Sequence, residues 1–197
     1  MEVLMKVVCI NGSPRKNGNS ATLIQEIMHI AENTNAIVES YTLNQLSYKG
    51  CQACMNCKGK ADLCIVKDDL TEVLSAISTC DLLVLASPVY FGDVTAQMKA
   101  LIDRTYSYLV PNFMQKDKPS RLASGKSLIF MLAQGQPDEK MFADIYPKYE
   151  LFLRIMGFSD SHLIRACGVM DAGAVKERED ILENVRTISK QIISNLS

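Results

Sequence analysis

The chain of 197 residues predicts an α/β fold: a five-stranded parallel sheet in order 2-1-3-4-5, covered by helices on both faces as a three-layer sandwich. Three observations carry this. Short apolar, β-branched runs alternate five times with stretches of helical spacing, the pattern of a parallel sheet with crossover helices. The length suits one core, and no linker, repeat or low-complexity stretch divides it, so residues 1–197 read as a single domain. The turn after the first run, GSPRKNGNS, lacks the GxGxxG of a dinucleotide-binding domain, the main competing doubly wound arrangement.

The elements follow in order. VLMKVVCI (3–10), rich in β-branched residues and bounded by NGSP, predicts a buried strand. Residues 20–34 place Leu23, Ile24, Ile27, Ile30 and Ala31 at helical spacing. IVESYTL (37–43) alternates as an edge strand would. Residues 68–80 begin with acids and carry Leu70, Val73, Leu74 and Ile77 on one helical face. DLLVLASPVY (81–90) is a continuous apolar strand that breaks at Pro88, and 95–109 is helical again. KSLIFMLAQ (126–134) is the fourth strand; 138–158 is a helix expected to bend at Pro147. SDSHLIRACGV (159–169) is the last strand and 171–196 the last helix.

Composition excludes several classes. A net charge of −1 with no long basic run gives no nucleic-acid footprint. There is no run of eighteen apolar residues and hence no membrane-spanning helix. The first residues, MEVLMKVVCINGSP, lack the pattern of a signal peptide, so a cytoplasmic location is expected, where thiols stay reduced and disulfides are uncommon.

In a doubly wound sheet, ligands bind beyond the carboxyl ends of the strands. The first such turn holds Ser13, Arg15, Lys16, Asn17, Asn19 and Ser20 with two glycines, and opens directly into a helix. Hydroxyls, amides and free helix N–H groups can surround a phosphate there, and the helix dipole favours its charge. The plainer alternative is an ordinary turn with Asn19 or Ser20 as the helix N-cap. After the third strand, Pro88, Val89, Tyr90, Phe91 and Gly92 place two aromatics beside a flexible glycine, which suits a flat ring; they could equally cap the core. Gln134 and Gly135 fall at the same edge after the fourth strand.

The segments GSPRKNGNS and SPVYFG resemble the phosphate loop and ring-binding loop of the NAD(P)H-dependent FMN reductases, a flavodoxin-like family whose first pattern runs GSPRxxGNT. Position 20 here is serine where the family usually has threonine, and the hydroxyl is kept. The resemblance implies that Ser13, Arg15, Asn19, Ser20 and the backbone of Ala21 hold the FMN phosphate. It further implies that Pro88, Val89, Tyr90, Phe91 and Gly92, with Gln134 and Gly135, line the isoalloxazine ring.

Four of the seven cysteines crowd into SYKGCQACMNCKGKADLC (47–64), within a loop spanning 50–64, as Cys51-x2-Cys54-x2-Cys57-x6-Cys64. Four thiolates on one loop can hold an iron–sulfur cluster. They could also bind zinc, though zinc more often takes two separated pairs, or remain free or redox-paired. The spacing is similar to that of the iron–sulfur flavoproteins, a branch of the same family, which implies a [4Fe–4S] cluster on these four residues, coupled to flavin across a dimer interface. Cys9, Cys80 and Cys167 lie in or beside apolar runs and read as core. His29 and His162 have no ligand spacing and read as structural, while 107–125 is long for a connection and is expected to shape a pocket or a subunit interface.

The resemblance thus implies an iron–sulfur flavoprotein working in electron transfer. It would be reduced by NAD(P)H or served by a partner such as ferredoxin, would pass electrons to a small-molecule acceptor, and would form a homodimer or homotetramer. Two alternatives share the flavin site: a clusterless NAD(P)H-dependent FMN oxidoreductase acting on quinones, nitro compounds or flavins, and a non-catalytic flavin-binding module stabilised by zinc or thiols.

Overall fold

A computed structural model describes residues 4–196. Its five strands are β1 (Lys6–Asn11), β2 (Ile37–Thr42), β3 (Leu82–Pro88), β4 (Ser127–Gln134) and β5 (Asp160–Cys167). All pair in parallel, in the order β2-β1-β3-β4-β5. The expected doubly wound sheet is therefore present, with β2 at one edge. The predicted start of the first strand at Val3 lies outside the described residues.

Side chains alternate across each strand, so the sheet feeds two cores. Val7 and Cys9 face the side of α1 (Asn19–Glu32) and α5 (Glu179–Leu196), with Leu23, Ile27, Val185 and Ile192. Val8 and Ile10 face the side of α2 (Leu70–Thr79), α3 (Ala96–Arg104) and α4 (Ile145–Met156), with Val73, Leu101, Ile145 and Leu153. The three central strands are sealed on both faces, which is why their sequences read as continuous apolar runs.

Two helices begin later than the periodicity predicts. Residues 138–144 form turns before α4, so Pro147 sits in the first helical turn, where its missing N–H leaves no bond unmade. The expected bend is replaced by a helix start. Likewise α5 begins at Glu179, after a short 3₁₀ turn at Ala174–Glu177. Among the described residues no helix is long and apolar enough to cross a membrane.

Register fixes the working edge. Asn11 lies beside Ala86, Pro88 beside Ala133 and Gln134 beside Cys167, so the chain leaves β1, β3, β4 and β5 at one edge of the sheet.

Candidate functional site

The first turn folds back on itself before entering α1. Asn11 Oδ1 accepts from Ser13 N–H at 3.0 Å, and Ser13 Oγ accepts from Arg15 N–H at 3.2 Å. Gly12 packs so closely that a Cβ there would fall 3.0 Å from Met98 Cβ, and its carbonyl accepts from the Thr95 hydroxyl at 2.7 Å. The helix N-cap is Gly18, in extended conformation, with no side-chain cap. The capping alternative for Asn19 or Ser20 is thereby excluded. No acidic residue occupies the first turn of α1, so its dipole faces the cleft without local opposition.

One cleft of about 80 Å³ gathers Ser13, Arg15, Asn19 and Ser20 from this turn, Pro88, Val89 and Tyr90 from the loop after β3, and Gly135 from the loop after β4. Ser20 is 1% exposed, and its Oγ is buried with no hydrogen-bond partner. A buried hydroxyl in that condition costs about 1–3 kcal/mol, a penalty that an acceptor in the cleft would remove.

Not every expected residue reaches the cleft in the same way. The Asn19 side chain is fully engaged elsewhere: Nδ2 donates to the Val169 and Asp171 carbonyls at 3.0 Å each, and Oδ1 accepts from Val175 N–H at 3.1 Å. It bolts α1 to the loop after β5 and leaves only its backbone N–H for a ligand. Ala21 N–H turns back to the Gly18 carbonyl at 3.1 Å. Gln134 is buried, donating to the carbonyls of Gln136 and Asp138 at 2.9 and 3.1 Å and accepting from Arg165, so it braces the β4 loop. Phe91 and Gly92 form the tip of a tight turn closed by reciprocal Tyr90–Asp93 backbone bonds. Both have positive φ, 49° and 81°, as the mirror-image turn of hairpins requires. Phe91 is wholly exposed there, outside the cleft.

The cleft also contains Ala133, Val169 and Met170, which the sequence reading missed. A Cβ on Gly135 would fall 2.5 Å from Met170 Cε, so Met170 lies over that glycine, and Arg15 Nη1 holds its carbonyl at 3.1 Å. The available signal was positional: the loop after β5 leaves from the same edge as the loops after β1, β3 and β4.

The four clustered cysteines line a second cavity, of about 120 Å³, together with Ala53, Met55, Ile65, Val66 and Tyr106 and the polar residues Gln52, Arg104 and Ser107. All four are free thiols. Ala53 and Met55, both with positive φ, curl the loop around this space. Three cations brace it. Arg104 ties the loop's two ends, donating to the Lys49 carbonyl at 2.9 Å and the Val66 carbonyl at 3.0 Å. Arg121 donates to the Cys57 carbonyl at 3.0 Å. Lys58 reaches back to the Tyr106 carbonyl at 2.5 Å and the Leu109 carbonyl, 3.9 Å over the Tyr106 ring. The long 107–125 segment thus contacts the cysteine loop through Leu109 and Arg121, while Tyr108 and Ser120 tie it to α2 and α4.

Asn56 beside Cys54 holds that thiol below its usual range, with a smaller pull from Arg104. Burial lowers Lys58. Burial also works against the charge of Arg104, but Asp68 and the neighbouring Cys64 outweigh it. By contrast, burial pushes Cys9 and Cys80 up to about 12 and raises Cys167, so the three core thiols are inert. His29 is exposed, and His162 pairs with Asp160 at 2.8 Å. Among the described residues no three His, Cys, Asp or Glu side chains are grouped to hold a metal ion. A larger apolar cavity of about 610 Å³, apart from the cleft at the strand edge, opens between α3 and α4 and shares Cys51, Ala53 and Tyr106 with the cysteine cavity.

A family model described as NADPH-dependent FMN reductase matches residues 5–143. An iron–sulfur flavoprotein of Archaeoglobus fulgidus is 34% identical over 136 residues, 68% of this chain and 58% of that protein. One of Methanosarcina thermophila is 32% identical over 114 residues, 58% of this chain and 59% of that protein. The chain therefore spans under two thirds of these curated relatives. An NAD(P)H:quinone oxidoreductase from Methanothermobacter marburgensis superposes with a TM-score of 0.73 at 16% identity, covering 96% of this chain and 98% of that one. An FMN-dependent NADH-azoreductase from Bacillus anthracis, in complex with FMN, gives 0.68 at 15% identity, covering 98% and 99%. At those identities the structural likenesses establish the flavodoxin-like fold.

Proposed function

The chain belongs to the NADPH-dependent FMN reductase family, and on that premise we propose that it is a flavin-dependent oxidoreductase that binds FMN at the cleft beyond β1, β3 and β4. The observation that carries this is the orphaned Ser20 Oγ, buried at the N-terminus of α1 among Ser13, Arg15 and Gly18. A dianionic phosphate supplies the acceptor that this hydroxyl lacks, and the free N–H groups of the first helical turn, the dipole and Arg15 balance its charge. The cleft volume of about 80 Å³ suits a phosphate, and the ring would lie outside it against Pro88–Gly92 and Gly135, with Met170 moving aside. FMN held there would supply the redox chemistry, with NAD(P)H or a carrier such as ferredoxin as the electron source. The chain's own residues position it: the β3 loop presents backbone and Tyr90 to the ring, and Asn19 and Gln134 fix the loops on either side.

We further propose a [4Fe–4S] cluster on Cys51, Cys54, Cys57 and Cys64, making the protein an iron–sulfur flavoprotein. The support is fourfold thiol lining of one cavity, roughly four times the ~30 Å³ a liquid water occupies. A cluster there supplies one-electron transfer. One observation favours the clusterless reading: no three ligand side chains are grouped to grip a metal ion among the described residues. The same observation weighs equally against zinc, which needs its ligands about 2.0–2.3 Å from one atom. Protein purified without oxygen, with absorption spectrum, iron and acid-labile sulfide measured on one sample, separates the readings. Flavin bands with about four irons per chain support both proposals; flavin bands without iron leave the clusterless oxidoreductase. No flavin even after added FMN overturns the first proposal.

A further inference from the structure

The turn from Tyr90 to Asp93 holds an aromatic residue in backbone that favours glycine: φ is 49° at Phe91 and 81° at Gly92. A bulky side chain in that region is uncommon and persists only where the surroundings fix it. The turn closes on itself through Tyr90 N–H to the Asp93 carbonyl at 2.8 Å and Asp93 N–H to the Tyr90 carbonyl at 3.1 Å. A hairpin held by its own backbone alone is marginal, so the anchor lies elsewhere. It is the Asp93 side chain. Oδ1 accepts from Val94 N–H and from the Tyr149 hydroxyl, at 2.7 Å each, and Oδ2 accepts from Lys148 Nζ at 2.8 Å. Among the described residues, Asp93 supplies the only side-chain hydrogen bonds that tie residues 89–94 to another element.

The two partners on α4 are not equal. The Lys148 and Asp93 side chains are 43% and 41% exposed, and an ion pair that open to solvent contributes little. Tyr149 is buried, and its ring stacks on Phe130 in the core, centroids 6.0 Å apart. Burial, with Asp93 beside it, raises the Tyr149 phenol above its usual range, so the hydroxyl keeps its proton and donates. That bond runs from the core to the turn. On the other flank, Thr95 N–H donates to Ser87 Oγ at 3.0 Å and its hydroxyl to the Gly12 carbonyl, fixing the segment's far end.

We propose that Tyr149, through Asp93, holds the Tyr90–Gly92 turn in the form that receives the flavin ring, and so sets how tightly and in what orientation the ring binds. This rests on the FMN reading above and needs nothing in the cysteine cavity. A site already in its binding form loses no affinity to rearrangement, whereas one populated about a tenth of the time binds about tenfold more weakly. Tyr149 and Asp93 are thus positioning residues, acting through the turn.

The test titrates flavin-free wild type, Tyr149→Phe and Asp93→Asn with FMN and with riboflavin, which lacks the phosphate. Visible circular dichroism of each complex and thermal unfolding of each free protein are recorded alongside. Tyr149→Phe deletes one oxygen and keeps the ring on Phe130, while Asp93 Oδ1 keeps Val94 N–H, so no buried charge is stranded and the variant folds. Expected is about tenfold weaker binding of both ligands, by the same factor, because the turn acts on the ring they share. The visible dichroism of the bound flavin changes with it, a signal that a purely structural role would not move. Asp93→Asn, which keeps an acceptor for Tyr149 but loses the carboxylate charge, falls between Tyr149→Phe and wild type. Wild-type affinity and dichroism in Tyr149→Phe overturn the proposal while leaving the flavin reading intact, and so does a lower unfolding temperature with unchanged flavin binding. A loss confined to FMN also overturns it, since the effect then runs through the phosphate. Wild type that binds neither flavin removes the flavin reading and this inference together.

Discussion

Replacing Ser20 with alanine pulls the free protein and the FMN complex in opposite directions, which makes it the sharpest test of the flavin cleft. In the free protein Ser20 Oγ bonds to nothing, although the residue is 1% exposed. Deleting it removes a desolvated polar atom and places the best helix former in the first turn of α1, worth up to about 1 kcal/mol of added stability. In the complex the same deletion removes a hydrogen bond to a charged acceptor, about 1.5–3 kcal/mol. At 1.4 kcal/mol per factor of ten, FMN should bind about 10- to 150-fold more weakly.

The assay is quenching of FMN fluorescence on titration with flavin-free protein, alongside thermal unfolding of the same preparations. A gain of 1 kcal/mol in a domain of this size corresponds to roughly 2–4 °C. Ser20→Thr, which keeps a hydroxyl at that place, should bind FMN within about threefold of wild type, a difference of about 0.7 kcal/mol or less. Wild-type affinity in Ser20→Ala would show that the hydroxyl faces no phosphate. A fall in Tm of the flavin-free variant would show that Oγ has a protein partner after all, and the reasoning would fail at its first step.

Other outcomes follow from the same geometry. Arg104→Met should destabilise the fold by about 3–5 kcal/mol in urea unfolding at neutral pH, because Asp68 is left part-buried without its cation. Burial pushes the Asp68 carboxyl up, but the Arg104 bond and the Lys49 N–H hold it below the ordinary value of 3.8. The pair's contribution is therefore present above that pH and lost as pH falls through the lower folded value, so the gap between wild type and Arg104→Met should narrow below about pH 3.8. Cys54→Ala should lose iron and sulfide while keeping wild-type FMN content; retention of four irons would remove Cys54 from the ligand set. Phe91→Ala should change unfolding stability by less than about 0.5 kcal/mol, since the ring touches solvent. If the exposed ring covers the flavin, the same variant should bind FMN about 2- to 12-fold more weakly, the worth of one aromatic contact. Equal affinity would leave Phe91 as a mere turn tip.

The sheet was legible because its information is local. Leu82–Ala86 and Leu128–Leu132 are buried on both faces, so each strand announces itself as an unbroken apolar run, and five such runs between helical patterns admit few orders. Helix starts were less legible, since Pro147 in a helical pattern reads as a bend unless the helix is known to begin two residues before it. Side-chain roles were least legible. Asn19 belongs to the phosphate-loop pattern, yet its amide spans 150 residues of sequence to bind the Val169 carbonyl, and no periodicity records a bond of that reach.

The two sites differ in the same respect. The cleft proposed for flavin is built from two short motifs, and register alone brings their loops to one edge, so most of its lining could be named from the residues. The cysteine cavity advertises its thiols, but what governs them comes from far along the chain. Arg104 acts on Lys49 across 55 positions, and Arg121 acts on Cys57 across 64. Those cations sit in a helix end and a connection whose sequence shows no motif. Spacing can therefore indicate that four thiols share a loop. The bonds that brace that loop come from donors that only the folded chain brings within reach.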